Sequence, residues 1–195
     1  MSKKLNLVLF GPPGAGKGTQ SEKIIEKYKL THLSTGDLFR KHLGEGTDLG
    51  KQAQAYMDNG KLVPDEVVIE MVGEKLSNNN NASGYIFDGF PRTVAQAAAL
   101  DKLLSSLNDS ITLTIALEVD EAELRKRLLE RGKTSGRADD QNEEKINTRI
   151  KVYMDETLPV ADYFDNQKKF YPVEGVGTID EIFNRICQTI DAKIK

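Results

Sequence analysis

The 195-residue sequence contains one cysteine, Cys187. That excludes an internal disulfide and any multi-cysteine zinc cluster. Cys187 falls in an apolar helical pattern with Ile182, Phe183, Ile186 and Ile190, and reads as a small buried hydrophobe. The two histidines, His32 and His42, stand far in sequence from other candidate ligands and read as ordinary polar residues. A basic excess is also missing. Against 27 Lys and Arg there are 30 Asp and Glu, a net charge of −3 and a pI near 5.5. A dedicated nucleic-acid binder carries a basic face, so no nucleic-acid partner is expected. No apolar run approaches the roughly 20 residues of a membrane span, so no membrane partner is expected either. Met1-Ser2-Lys3-Lys4 leads through a short apolar run into a glycine-rich loop, without the length of a secretory signal. The expectation is a cytoplasmic protein. Asp-x-x-Gly and Asn-Lys-x-Asp segments are both absent, which argues against a GTPase-like switch. No repeat recurs at a solenoid period.

What is present is organised around Gly11-Pro12-Pro13-Gly14-Ala15-Gly16-Lys17-Gly18-Thr19-Gln20. It follows the run Leu5-Asn6-Leu7-Val8-Leu9-Phe10 and precedes a helical pattern through Ile24, Ile25 and Tyr28. Strand, glycine-rich loop and helix in that order make a phosphate-binding P-loop. The glycines let successive N–H groups curl inward around phosphate oxygens. The helix N-terminus adds the positive end of its dipole, and Lys17 adds a mobile ammonium. Gly18 stands where Ser or Thr normally follows the lysine, and the hydroxyl comes one place later, at Thr19.

Further along, Thr31-His32-Leu33 leads into Ser34-Thr35-Gly36-Asp37, a polar turn with capping chemistry. Helical patterns follow around Leu38, Phe39 and Leu43, and around Ala53, Tyr56 and Met57. Asn59-Gly60 suits a left-handed C-cap, and Asp65 is expected to cap a helix holding Val68, Ile69 and Met71. Residues 34–63 have little strand character and read as a small helical lobe. The asparagine run 78–81 reads as a loop. Gly84-Tyr85-Ile86-Phe87-Asp88 is a short buried strand ending in a carboxylate, and 111–117 is the clearest strand. A helix from Glu121 is expected to stop at Gly132, followed by a loop to Asp140 and a long helix over 143–155. Phe170-Tyr171-Pro172-Val173 is the last strand, and residues 180–194 form the closing helix. Alternation of strands and helices over a single domain's length predicts an α/β fold with a parallel sheet covered on both faces.

A P-loop alone is compatible with kinases, GTPases and ATPases. Arg40, Arg92, Arg127, Arg131, Arg137 and Arg149 narrow the field, because all fall in or beside loops and helix ends at one edge of the predicted sheet. Phosphoryl transfer needs cations on the equatorial oxygens, and arginine offers a permanently charged planar fork. Arg125 and Lys126, by contrast, read as solvated surface residues. Asp88, at a strand end, suits magnesium or its water shell.

Five segments together resemble the short-lid form of the adenylate kinase family. They are residues 11–20, Leu33-Ser34-Thr35-Gly36-Asp37-Leu38-Phe39-Arg40, Gly60-Lys61-Leu62-Val63-Pro64, Asp88-Gly89-Phe90-Pro91-Arg92, and Arg131-Gly132-Lys133-Thr134-Ser135-Gly136-Arg137-Ala138-Asp139-Asp140. The resemblance spans essentially the whole chain, and the Gly18-Thr19 departure is the family's own form of the loop. It implies a P-loop core built on a five-stranded parallel sheet (1–33, 64–129 and 141–195), a nucleoside-monophosphate lobe (34–63) and a short lid (130–140). The implied reaction is reversible, Mg2+-dependent phosphoryl transfer from ATP to AMP, giving two ADP.

By the same resemblance, Gly14, Ala15, Gly16, Lys17, Gly18, Thr19, Arg127, Arg131 and Gly177 hold ATP. Thr35, Arg40, Lys61, Leu62, Val63, Gly89, Phe90, Pro91, Arg92, Gln96, Arg137 and Arg149 hold AMP. Lys17, Arg92, Arg131, Arg137 and Arg149 stabilise the moving phosphoryl group, with Asp88 on magnesium through water. The short lid lacks cysteine, so the zinc of longer-lid relatives is not expected. Asp139 and Asp140 are expected to tether the lid to the core through ion pairs. The nearest rival is a UMP/CMP kinase; Thr35 and Gln96 favour adenine. Monomer is the default.

Overall fold

In β1 (Leu5–Phe10), Leu7 and Leu9 face one side of the sheet and Val8 and Phe10 the other, all 4% exposed or less. A strand covered on both faces has no polar face to show, which is why it reads as a near-continuous apolar run. The computed structural model describes residues 4–79, 82–135, 137–140 and 142–194. Asn80, Asn81, Gly136 and Gln141, which fall in or beside expected loops, lie outside the described residues.

The sheet holds β2 (Thr31–Ser34), β3 (Gly84–Asp88), β1, β4 (Leu113–Glu118) and β5 (Phe170–Glu174), in that spatial order and all parallel. Between them run α1 (Lys17–Tyr28), α2 (Thr35–Gly44), α3 (Asp48–Met57), α4 (Asp65–Ser77), α5 (Val94–Ser106), α6 (Glu121–Thr134), α7 (Glu143–Val152) and α8 (Val160–Asp165), with α9 (Ile179–Lys193) last. Among the described residues the two larger apolar clusters lie one on each face of the sheet. Val8, Phe10, Phe87, Leu100, Leu104 and Phe164 belong to one; Leu7, Leu9, Ile24, Ile86, Ile115 and Ile186 belong to the other. Each such side chain contributes about 1.5–3 kcal/mol by leaving water.

Asn6 is the polar exception in β1 and is fully buried. Its amide donates to Asp109 Oδ1 (2.7 Å) and the Ser110 carbonyl (2.9 Å), while its oxygen accepts from the Tyr85 N–H (3.1 Å). Every polar atom of the side chain is thus satisfied, tying β1 to β3 and to the loop before β4.

Several local expectations hold. Ser34 Oγ accepts from the Asp37 N–H (3.2 Å) and caps α2. Gly60, at φ +69°, closes α3 in a Schellman motif: its N–H donates to the Met57 carbonyl and that of Lys61 to the Tyr56 carbonyl, both 3.0 Å. Cys187 is buried.

Four expectations change. Thr31–Ser34 is an edge strand in its own right, not only a lead-in. α6 does not stop at Gly132 but continues to Thr134, because the missing Cβ at 132 makes room for the Asp140 carbonyl, which a side chain would overlap. The long helix after Asn142 ends as an α-helix at Val152 and widens into a π-helical turn, Tyr153–Thr157, with the Leu158 N–H reaching back to the Tyr153 carbonyl (2.7 Å); α8 then follows. Asp65 does not cap α4. It is the first helical residue, and its carboxylate turns toward Thr93 and Gln96.

Candidate active site

The carboxyl ends of β1, β2 and β3 open into a cleft of about 470 Å3, the position where parallel α/β sheets bind ligands. Gly14 and Gly16 sit at φ +87° and +91°, conformations that glycine adopts without strain. Gly14 also needs its lack of Cβ, which would press to 3.0 Å from Leu128 and 3.1 Å from the Leu124 carbonyl. Gly16 stands before α1 with no side-chain cap on the helix. The first-turn N–H groups of Lys17, Gly18 and Thr19 have no partner within the helix, so this end is a ready anion site.

Lys17 folds back over the loop and donates to the carbonyls of Gly11 (2.8 Å) and Pro12 (3.0 Å). Its pKa is lowered to about 8, first by burial of the ammonium and then by the charges of Arg92, Arg149 and Arg131; Asp88 opposes this. Arg92 faces the open cleft yet is crowded by protein on its flanks, and burial together with Arg149 lowers its pKa to about 10. The pKa of Arg137 is lowered by burial and by Arg40 and Arg131. These cations press on one another around one space. A polyanion entering there relieves that repulsion.

The arginines are held in place by carbonyls and carboxylates. Arg92 Nε donates to the Gly89 carbonyl (2.7 Å), which also accepts from Thr35 Oγ1 (2.8 Å). Arg40 pairs with Asp37. A short 3-10 turn, Ala138–Asp140, brings two carboxylates to the cleft wall. Asp140 has a fully buried side chain and takes two bonds from Arg131 (Nε 2.6 Å, Nη2 3.0 Å) and one from Arg149; Asp139 pairs with Arg149 at 2.9 Å. Burial alone would raise the pKa of Asp140, but the bond from Arg131 and the Arg149 and Arg131 charges hold it below the usual carboxylate value. Asp88, at the end of β3, behaves alike: burial is outweighed by His32 and the Lys17 charge, so the carboxylate stays ionised.

Gly18, Thr19, Thr35, Arg40, Lys61, Leu62, Val63, Asp88, Gly89, Phe90, Pro91, Arg92, Gln96, Arg131, Arg137 and Arg149 all line the cleft with Gly14, Gly16 and Lys17. Three candidates do not. Ala15 is buried within the loop. Arg127 bonds Glu123 (2.8 Å) and the Gly175 carbonyl (3.1 Å) beside the turn holding Gly177, whose φ is +126°. That turn lies next to α1: Gln20 Nε2 donates to the Ile179 carbonyl at 3.0 Å.

His32, read as an ordinary polar residue, lies 3.8 Å from Asp88 and lines the cleft. Tyr153 and Thr157 reach the same cleft from the π-helical turn, and Tyr153 packs its ring on Phe10 at 5.7 Å. Burial, then the Glu118 charge, raises the Tyr153 pKa and keeps it a neutral phenol. Gly60 packs so closely on α7 that a Cβ there would lie 2.8 Å from Arg149 Cγ. Proximity across strands and helices gives no local sequence signal. For Tyr153 and Thr157 there was one: they follow the candidate Arg149 at successive i+4 steps, on the same helical face.

Among the described residues no group of three or more His, Cys, Asp or Glu could enclose a metal, and no helix is long and apolar enough to cross a membrane. A lone ionised carboxylate suits a hydrated hard cation carried in on phosphates rather than one caged by protein.

The family model described as adenylate kinase matches residues 9–169. The chain is 56% identical to an adenylate kinase of Flavobacterium johnsoniae over 187 residues, covering 96% of this chain and 98% of that one. It is 50% identical to an adenylate kinase of Bacteroides thetaiotaomicron with the same coverage, and 44% identical to one of Thermodesulfovibrio yellowstonii over 97% of this chain and all of the relative.

Proposed function

Because the chain belongs to the adenylate kinase family, and so is a phosphotransferase converting ATP and AMP to two ADP, we propose how its cleft residues divide that work. Lys17, Arg92, Arg131, Arg137 and Arg149 form the cage around the moving phosphoryl group. The observation that carries this reading is the convergence of these five cations, with Lys17 and Arg92 both lowered in pKa by burial and mutual repulsion, on the space between the P-loop and Asp88.

ATP lies with its phosphates on residues 14–19 and Arg131, and its base toward Arg127 and the turn at Gly177. AMP lies between Thr35, Arg40, residues 61–63, residues 89–92 and Gln96, its phosphate toward Arg92, Arg137 and Arg149. The attacking group is an oxygen of the AMP phosphate. Its bond to the γ-phosphorus forms as the bond from that phosphorus to the β–γ bridging oxygen breaks, leaving ADP on both sides. No protein nucleophile is needed; alignment and charge stabilisation are the catalysis.

Magnesium, when bound with the triphosphate, neutralises oxygen charge, and Asp88 would hold it through water. Residues 34–63 form the acceptor lobe and 130–140 the lid, with the helical part of the lid reaching Thr134. Both fold over the cleft and exclude water, which would otherwise take the phosphoryl group. A monomer in the cytoplasm, where a lone buried cysteine stays reduced, completes the reading.

The test is ADP production from MgATP with AMP, UMP, CMP or no acceptor in parallel. Fast turnover with AMP alone is expected. Preference for UMP or CMP would overturn the assignment of Thr35 and Gln96 to adenine, and acceptor-independent ADP release would make the protein an ATPase.

Lys17 also predicts a pH dependence. Its folded-state pKa of about 8 lies below the ordinary 10.5, so the free enzyme loses this charge as pH rises through 8. The ratio kcat/KM for MgATP reports the free enzyme and is expected to decline above about pH 8. Bound phosphates favour the ammonium, so kcat should hold its plateau further into the alkaline range. A kcat/KM profile flat to pH 9.5, well above that pKa of about 8, would contradict the assignment. Stability moves the opposite way. Between 8 and 10.5 the unfolded chain binds the extra proton, so this residue's cost to the fold is relieved as pH rises.

A further inference from the structure

Gln96 is 1% exposed, lines the cleft, and has both ends of its side-chain amide engaged by the protein. Its Oε1 accepts from the Arg92 N–H at 2.7 Å, and its Nε2 donates to Asp65 Oδ1 at 2.8 Å. The other carboxylate oxygen of Asp65 accepts from Thr93 Oγ1 at 2.8 Å, and that hydroxyl in turn accepts from the Gln96 backbone N–H at 3.1 Å. Asp65 is therefore held from one side by Thr93 while it holds Gln96 from the other.

We propose that Asp65 sets the base preference of the acceptor subsite by fixing which way round the Gln96 amide is presented. This rests on the reading above that Gln96 meets the base of AMP. A glutamine amide has two N–H donors and two acceptor lone pairs. Arg92 and Asp65 consume one of each, leaving one lone pair on Oε1 and one N–H on Nε2. Adenine offers the complement along its pairing edge, an amino donor at N6 and an acceptor at N1. Hypoxanthine has the same outline with the pattern reversed, an acceptor at O6 and a donor at N1.

An unanchored glutamine would serve either base by rotating its amide through half a turn. Here that rotation would set Nε2 against the Arg92 N–H, donor to donor, and Oε1 against the Asp65 carboxylate, acceptor to acceptor. The buried network thus converts a symmetric side chain into a one-way reader. A site built to hydrogen-bond one pattern rejects its reverse strongly, because the mismatched groups are left unpaired in a dry pocket. Asp65 acts through Gln96 and is a positioning residue.

The experiment compares AMP with IMP as acceptor, at saturating MgATP, in the wild-type chain and in Asp65→Ala and Asp65→Glu. The second variant keeps the charge at the start of α4 and displaces the carboxylate by one methylene. The expected result is a fall of about tenfold in the AMP-to-IMP ratio of kcat/KM. It should arise from a raised KM for AMP and a lowered KM for IMP, with kcat and the KM for MgATP within about twofold of wild type. A ratio unchanged in whichever variant folds would overturn the proposal. So would equal losses for AMP, IMP and MgATP, the pattern of general destabilisation. Gln96→Leu separates the two levels. If it abolishes discrimination while the Asp65 variants keep it, Gln96 reads the base without Asp65; if it leaves discrimination intact, Gln96 is not at the base.

Discussion

Lys17→Met is expected to lower turnover about a thousandfold while the protein still folds, the scale of losing a strong preorganised donor at a transition state. Methionine matches the lysine stem in length and polarizable bulk but has no charge and no donor. Two hydrogen bonds, to the Gly11 and Pro12 carbonyls, go with the ammonium. Gly11 lines the open cleft, so water can replace the lost donor at its carbonyl. The ammonium sits among Arg92, Arg131 and Arg149, and its removal relaxes their mutual repulsion. The melting temperature should therefore hold or rise as activity collapses. Turnover within tenfold of wild type would remove Lys17 from the chemistry, and a lost fold would make its role structural.

The second large effect is expected from Asp139→Ala with Asp140→Ala. Asp140 is wholly buried between Arg131 and Arg149, with Asp139 on Arg149 as well. Taking both carboxylates away leaves two guanidinium groups facing each other across a partly dry wall. We expect a loss of about 2–3 kcal/mol, below the 3–5 typical of a fully buried broken pair because Arg131 keeps solvent contact. The apparent KM for both nucleotides should rise, since arginines no longer held by carboxylates must be ordered by substrate. Unchanged kinetics would sink the tether. Acid should mimic the stability part in the wild-type chain. Asp140 is held below the ordinary 3.8, so its contribution is present above that value and is lost as pH falls through the lower folded-state pKa.

The P-loop side of the candidate site was legible because its parts are local: glycines, lysine and helix start follow one another within ten residues. Buried parallel strands such as β1 and β3 were legible for a similar reason, being apolar apart from Asn6 in β1 and the terminal Asp88 of β3. β2 was faint, with four residues and only Leu33 and Ser34 buried. Gly132 and Asp65 misled in the same manner. Glycine near a helix end reads as a stop, and a carboxylate at a helix start reads as a cap. Their actual partners are the Asp140 carbonyl, on the turn that follows α6, and Gln96, on another helix. Nothing in the run 143–158 announces that its helix widens at Tyr153, though the i+4 steps from Arg149 to Tyr153 and Thr157 already put both on the cleft face.

The close approach of Gly60 to Arg149 has a consequence for the order of events during turnover. The backbone that leads into residues 61–63 rests on the aliphatic stem of Arg149, whose head is paired with Asp139 and Asp140. Swinging that backbone outward would strip the stem of its packing and leave the head held by Asp139 and Asp140 alone. On the proposed assignment, the acceptor's base and the reacting phosphate would meet one side chain from its two ends, as two keys meet one lock, so closing the acceptor pocket would also steady a cation of the cage. An ATP molecule arriving alone would then meet a looser cage, and the missing atom that permits this coupling is the β-carbon of residue 60.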